Sequence, residues 1–130
     1  MPAPSTIVNI RASFPAGSTP VYTGQIVDGA GVGIPALDLN TLILSIVDTA
    51  RATIINGVNQ VNILNNNRGT VDALGNLTIS LQKGDTSMLT TPTLLSVTRS
   101  LVIEWTYNGG ASEGRHQVNF GLLALVGEPE

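Results

Sequence analysis

The chain has 130 residues, a net charge of −3 and no cysteine, and only 12% of its residues are charged. The length suits one domain with a core of its own, and the lack of cysteine excludes disulfides and cysteine-ligated zinc. The lack of a basic patch argues against nucleic-acid binding, and no run approaches the roughly 18 apolar residues of a membrane helix.

Residues 1–20 are predicted to be an extended N-terminal arm or an edge strand, and they begin without the features of a signal peptide. Residues 5–13 alternate as a strand does, and the prolines within 14–20 then interrupt the pattern. Because an extended arm can add to a neighbour's sheet edge, we expect this segment to contact a neighbouring chain; pairing with its own sheet is the alternative. The residues assigned to this interface are Ile7, Val8, Ile10 and Phe14.

Residues 21–28 are predicted to form the second strand, followed by a glycine-rich connection at 28–35. The alternate glycines of this connection resemble those of a phosphate-binding loop. Such a loop requires a following helix and, in P-loops, a lysine, whereas Pro35 and a strand-like run follow here. We therefore interpret the connection as a turn.

Residues 39–48 are apolar on both faces, which is typical of a strand that is central in its sheet or covered on its second side. A tight turn and a short return strand at 52–56 follow. Residues 58–64 are interpreted as either one helical turn or a bent connection, and residues 65–69 as a loop, because asparagine and glycine tolerate positive φ.

Residues 72–76 are predicted to reverse the chain before a strand at 77–81, where apolar and polar residues alternate. A short helical turn is expected at 85–89. Most of the aspartates lie at predicted turns, where a carboxylate accepts hydrogen bonds from backbone N–H groups.

A long hairpin near the C-terminus is predicted to hold much of the bulky core. Its arms are residues 96–107 and 115–126, and the glycines of residues 108–114 mark the reversal. The hairpin completes a predicted domain over residues 21–126, and residues 127–130 form a polar tail.

Short strands at regular spacing, with turn signals between them, predict an all-β fold, an antiparallel sandwich of about seven strands. Alternation assigns one apolar face of each strand to the space between the sheets. The residues predicted to face this core are Leu42, Leu44, Ile46, Leu77, Ile79, Leu81, Ile103, Trp105, Val118 and Phe120.

Few residues suggest chemistry. His116 is the only histidine and no cysteine accompanies it, so we expect it to be structural. The asparagine-rich stretch at 65–76 offers oxygen ligands for calcium but only one carboxylate. Trp105 and Tyr107 form either a sugar-binding platform or part of the core, and their apolar strand favours the core. We predict no enzymatic activity, no metal site and no cofactor.

Several stretches resemble small proteins that are encoded among the virion genes of tailed phages. They are residues 21–28, Gly33-Ile34-Pro35, Thr53-Ile54-Ile55-Asn56, Asn76-Leu77-Thr78, Glu104-Trp105-Thr106-Tyr107 and Gly114-Arg115-His116-Gln117-Val118. The resemblance covers roughly residues 21–120. It implies an immunoglobulin-like β-sandwich on a virion, as a head decoration protein or a neck or fibre component, and it transfers no catalytic residue.

We therefore expect a non-enzymatic structural protein of a tailed-phage virion, present in several copies and bound to capsid, neck or tail chains. The low charged fraction supports this expectation, because so neutral a surface suits coverage by partner subunits. The alternative is a carbohydrate- or receptor-binding module of a fibre or tail. Neither nucleic acid nor a membrane is an expected partner.

Overall fold

The protein folds as two β-sheets packed face to face. The computed structural model describes residues 5–15, 17–48, 53–64, 68–86 and 96–123. The strands within these ranges are β1 (Ser5–Pro15), β2 (Val21–Gln25), β3 (Leu39–Asp48), β4 (Thr53–Ile54), β5 (Val61–Asn62), β6 (Gly69–Val71), β7 (Asn76–Ser80), β8 (Ser96–Tyr107) and β9 (Ser112–Leu123). A 3-10 turn at Ala36–Asp38 and one turn of α-helix, α1 at Lys83–Thr86, complete them.

The larger sheet has the order β1-β9-β8-β3-β4, with β5 also paired to β3, and the smaller sheet has the order β2-β7-β6. Each of these pairs is antiparallel except β1 and β9, which run parallel. The predicted all-β antiparallel sandwich is confirmed. Two of its strands were not predicted: β5 lies within residues 58–64, which were interpreted as a helical turn or a bent connection, and β6 begins at Gly69, the last residue of the predicted loop. They have two and three residues, too few for alternation to reveal a strand.

The hairpin of β8 and β9 is paired along its whole length. Its turn, at residues 108–111, is shorter than the predicted turn at 108–114 and consists mainly of residues with positive φ. Gly114, which the prediction assigned to the turn, lies within β9 directly opposite Trp105. A glycine inside a strand often marks close packing rather than a reversal, and this one gives room to the indole ring.

The core between the sheets contains the residues that alternation assigned to it. All ten of the predicted core side chains are buried, and none is more than 4% exposed. They belong to β3, β7, β8 and β9 and to the residue that follows β7. The prediction of the core is confirmed.

The N-terminal segment is an edge strand of the chain's own larger sheet. β1 pairs with β9, and a bulge interrupts the register between Asn9 and Ser13. Ile10 and Phe14 pack against the core, and the Phe14 ring meets Phe120 edge-on at 5.9 Å between centroids. The side chains of Ile7 and Val8 lie outside the described residues. Contact of this strand with a neighbouring chain stays a prediction.

Other predicted boundaries shift as well. The return strand predicted at 52–56 is β4, which covers only Thr53–Ile54, and residue 52 lies outside the described ranges. β2 ends at Gln25 rather than at 28, because the chain beyond it pairs with its own next segment: the Ile34 N–H bonds to the Ile26 carbonyl, and Val27 pairs with Gly33 across the glycine-rich turn. The helical turn, expected at 85–89, lies at Lys83–Thr86, and residues 87–89 lie outside the described ranges.

Candidate functional site

The sandwich is open on the side of β1 and β2. β2 lies opposite β9, since the Tyr22 hydroxyl on β2 shares a 2.6 Å hydrogen bond with Nε2 of His116 on β9. β1 lies one strand further out in the larger sheet, beyond β9. In the described part of the chain, the smaller sheet has no strand beyond β2, so the inner face of β1 has no strand across from it.

The gap between the sheets is an apolar cavity of about 430 Å³. Its floor includes Ile10 and Phe14 of β1 and Val118 and Phe120 of β9, and its rim includes Val21, which is 58% exposed. No charged side chain is among its described lining residues. The volume is within the roughly 300–1,000 Å³ that is usual for binding pockets.

The main chain of β2 presents unpaired hydrogen-bonding groups at the mouth of this cavity. In an antiparallel pair, every second residue exchanges its N–H and C=O with the partner strand. The Leu81 N–H bonds to the Pro20 carbonyl and the Ile26 N–H to the Gly75 carbonyl, so the even-numbered residues between them face β7. The N–H and C=O groups of Val21, Thr23 and Gln25 therefore point away from the sheet.

The free edge of β2 and the adjoining apolar cavity together form the candidate interaction surface, which we call the open side. Comparison of the chain with protein-family models, with curated proteins and with solved structures finds no match. The open side is therefore interpreted from its own residues.

The polar pair at the back of the open side is neutral at pH 7. Burial lowers the pKa of His116 from its ordinary value of 6.5, and burial raises the pKa of Tyr22 above its ordinary value of 10.0. Both shifts favour the uncharged form, so the pair adds no charge to the space between β2 and β9. Its hydrogen bond joins the two sheets at the point where β2 lies over β9.

Trp105 and Tyr107, the two residues considered for a sugar-binding platform, do not form one. Trp105 is 2% exposed, and its indole N–H donates to the Val27 carbonyl at 3.2 Å. Tyr107 is half-buried and packs against the core. A stacking platform needs exposed ring faces, so the favoured assignment of Trp105 to the core is confirmed.

The carboxylates of Asp28 and Asp72 support turns. Asp28 Oδ1 accepts hydrogen bonds from the N–H groups of Ala30 and Val32, which closes the glycine-rich turn predicted at 28–35. The Asn76 side-chain amide donates to Asp72 Oδ2, and the N–H groups of Asn76 and Leu74 donate to Oδ1. These bonds lower the pKa of the Asp72 carboxyl.

Neither a metal cluster nor a membrane-spanning helix is found in the residues that the structure describes. No group of three or more described histidine or acidic side chains could hold a metal ion. The asparagines at 65–67, part of the calcium alternative, lie outside the described residues. No described helix has the length and apolar character to cross a membrane.

The sequence analysis did not predict the buried ionic cluster around Asp85 of α1. Asp85 of α1 is 0% exposed, and its Oδ2 lies 2.5 Å from an Arg68 guanidinium nitrogen. The carboxylate also accepts from the Asn56 side-chain amide at 3.0 Å and from the Gln82 N–H at 2.7 Å. The buried Arg99 guanidinium donates to the Asp85 main-chain carbonyl. The cluster ties α1 to β8 and to the start of β6, which is a structural role.

Proposed function

We propose that the protein is a non-enzymatic structural component of a tailed-phage virion, a head decoration or neck-associated protein that binds other virion subunits. The observation that carries the proposal is the open side. A free strand edge beside an apolar cavity is a feature that proteins use to bind other chains. On a particle, a neighbouring subunit would cover both.

The composition and the resemblance support the same proposal. A charged fraction of 12% leaves a neutral surface, which is more stable when partners cover it than when it is wholly in solvent. The stretches that resemble phage virion proteins lie in or beside strands of both sheets, among them β2 and β7 of the smaller sheet and β8 and β9 of the larger. An immunoglobulin-like sandwich is part of this proposal.

A structural role also agrees with the use of the titratable side chains. His116 is hydrogen-bonded to Tyr22, and the carboxylates of Asp28, Asp72 and Asp85 accept bonds from turns or from Arg68. A general base or nucleophile needs a reacting atom within reach, and these groups are engaged in holding the fold.

The alternative function, a carbohydrate- or receptor-binding fibre or tail module, loses the platform on which it depended. Trp105 lies in the core, and no other observation favours a glycan ligand over a protein partner.

The test is to locate the chain on particles. Virus particles from a strain that carries the gene are purified on a density gradient, and the chain is quantified by mass spectrometry against the major capsid subunit. We expect several copies per particle in a fixed ratio that survives a high-salt wash, because a nearly uncharged interface is little affected by screening. Recovery of the chain only in the soluble fraction, with particles intact, would reject the proposal.

A further inference from the structure

The free edge of β2 lacks the features that usually keep a strand edge from pairing. Charged residues, prolines, bulges and very short strands protect most natural edges. β1 ends at Pro15 and has an interrupted register, and β4, β5 and β6 have only two, two and three residues. β2 has five residues with no charge, no proline and an unbroken register.

We propose that β2 accepts one extended strand from a partner virion subunit, and that apolar side chains of that strand fill the cavity over β1. The inference rests on the proposed function and names the kind of segment that the partner supplies. The main chain of the added strand bonds to the outward groups of Val21, Thr23 and Gln25. Because strand side chains alternate, every second side chain of the partner points between the two sheets.

The chemistry of the cavity defines the partner strand. The floor is formed by aliphatic and aromatic side chains such as Ile10, Phe14 and Phe120, and beside it the Tyr22 hydroxyl is hydrogen-bonded to His116. A charge placed here would lose its hydration, and no described lining residue carries a charge that could pair with it. The partner strand is therefore uncharged at its inward positions and has apolar side chains there.

The geometry disfavours a second copy of β2 as the occupant. β2 of another copy would bring its own β9 and β1 with it, since Tyr22 and His116 hold β2 and β9 together. In the larger sheet, β1 of this chain extends past β2. The β9 strand of the second copy would have to lie in the same position, so the two strands would clash. A single strand from a partner brings no second sheet with it and therefore avoids this clash. A small apolar ligand could fill the cavity but would not use the outward N–H and C=O groups of β2, which would stay bonded to water.

The test replaces Thr23, whose N–H points away from β7. Thr23→Pro removes the outward donor and places a ring at the edge while keeping the bonds to β7. Thr23→Ala is the matched control, because it trims the same side chain and keeps the N–H. Particles from a strain with the gene deleted are mixed with each purified protein, and bound protein is measured by co-sedimentation. We expect Thr23→Ala to bind like the wild type and Thr23→Pro to bind at least ~10-fold more weakly.

Hydrogen exchange on the wild-type chain gives a second measurement that does not depend on the folding of a variant. The amides of Val21, Thr23 and Gln25 are expected to exchange fast in the free chain and slowly on the particle, whereas those of Tyr22 and Gly24 are slow in both. Outward amides that stay fast on the bound chain would overturn the inference.

The remaining outcomes separate this inference from the function on which it rests. If the wild type does not bind the particles, the proposed function fails and the strand addition with it. If folded Thr23→Pro binds like the wild type, the strand addition fails and the proposed function stands. A free chain that dimerises through this edge, or one that carries a small apolar molecule in native mass spectrometry, would show a different occupant and overturn the inference.

Discussion

Trp105 on β8 lies directly opposite Gly114 on β9, and its indole ring occupies the space that a side chain on Gly114 would need. A Cβ added to Gly114 would lie only 2.6 Å from the indole nitrogen. The same nitrogen donates its hydrogen to the Val27 carbonyl. The ring therefore covers the glycine on one strand and holds the segment after β2 against the hairpin.

This contact predicts a coupled pair of substitutions. Gly114→Ala should lower the free energy of unfolding by about 1–3 kcal/mol, because an added methyl group overpacks the site. Trp105→Ala should lower it by about 3–5 kcal/mol. In the Trp105→Ala background the space is vacated, so the added Gly114→Ala should cost well under ~1 kcal/mol. Urea titration of the four proteins measures the cycle.

Two results of this cycle would contradict the packing described. An equal cost of Gly114→Ala in both backgrounds would mean that the indole does not fill the space beside the glycine. A loss below about 1 kcal/mol for Trp105→Ala alone would mean that the ring is exposed, and a sugar-binding platform would again have to be considered.

The Tyr22–His116 pair predicts a loss of stability in mild acid. Burial lowers the pKa of His116 in the folded chain, so the unfolded chain binds a proton first as the pH falls. Stability is then full above the ordinary pKa of 6.5 and declines as the pH falls through that value towards the lower folded pKa. Melting temperatures at pH 7.5 and 5.5 should show a decrease for the wild type.

The control for this prediction is His116→Gln, which keeps a polar side chain next to Tyr22 but cannot titrate. Hydrogen bonds lower the pKa of the Asp72 carboxyl below its ordinary value of 3.8, so this group stays ionised over the range. The decrease between pH 7.5 and 5.5 should therefore be smaller in the variant. The same decrease in both proteins would assign the effect to other groups.

The buried ion pair of Arg68 and Asp85 predicts a large effect on stability. Asp85→Asn removes the charge that faces Arg68 and should destabilise the fold by about 3–5 kcal/mol, as breaking a buried pair usually does. Asp38→Asn is the control, since Asp38 is an exposed acidic residue of the 3-10 turn and should change stability by less than about 0.5 kcal/mol. Similar denaturation midpoints for the two variants would show that the pair contributes little.

The core was predictable from the sequence because alternation is a local signal. Leu77, Ile79 and Leu81 lie two residues apart and share one face whatever their strand pairs with. The boundaries of the strands were less predictable where one residue type is compatible with both a turn and a strand. Gly114 indicates a turn by type, but its place opposite Trp105 depends on a pairing that only the folded hairpin defines.

The open side could not be predicted, because it arises from contacts between residues far apart in the chain. Tyr22 and His116 are separated by 94 positions, and nothing near either residue indicates the other. The parallel pairing of β1 with β9 is also non-local, since alternation predicts a strand but not its neighbour. The Arg68–Asp85 pair is closer in sequence, yet the turn around Asp85 gave no signal that this carboxylate is buried.

The N-terminal strand predicts the outcome of a truncation. Deletion of residues 2–13 removes most of β1, and with it the pairing to β9 and the Ile10 side chain that packs on the core. An exposed β9 edge and an uncovered Phe120 should make the shortened protein unfold at a clearly lower urea concentration than the wild type. Deletion of residues 2–4, which leaves every β1–β9 pair in place, is the control and should lower the midpoint less. If the 2–13 deletion keeps the wild-type midpoint but no longer joins the particle, β1 is an attachment arm for a neighbouring chain, and its pairing with β9 contributes little to the fold.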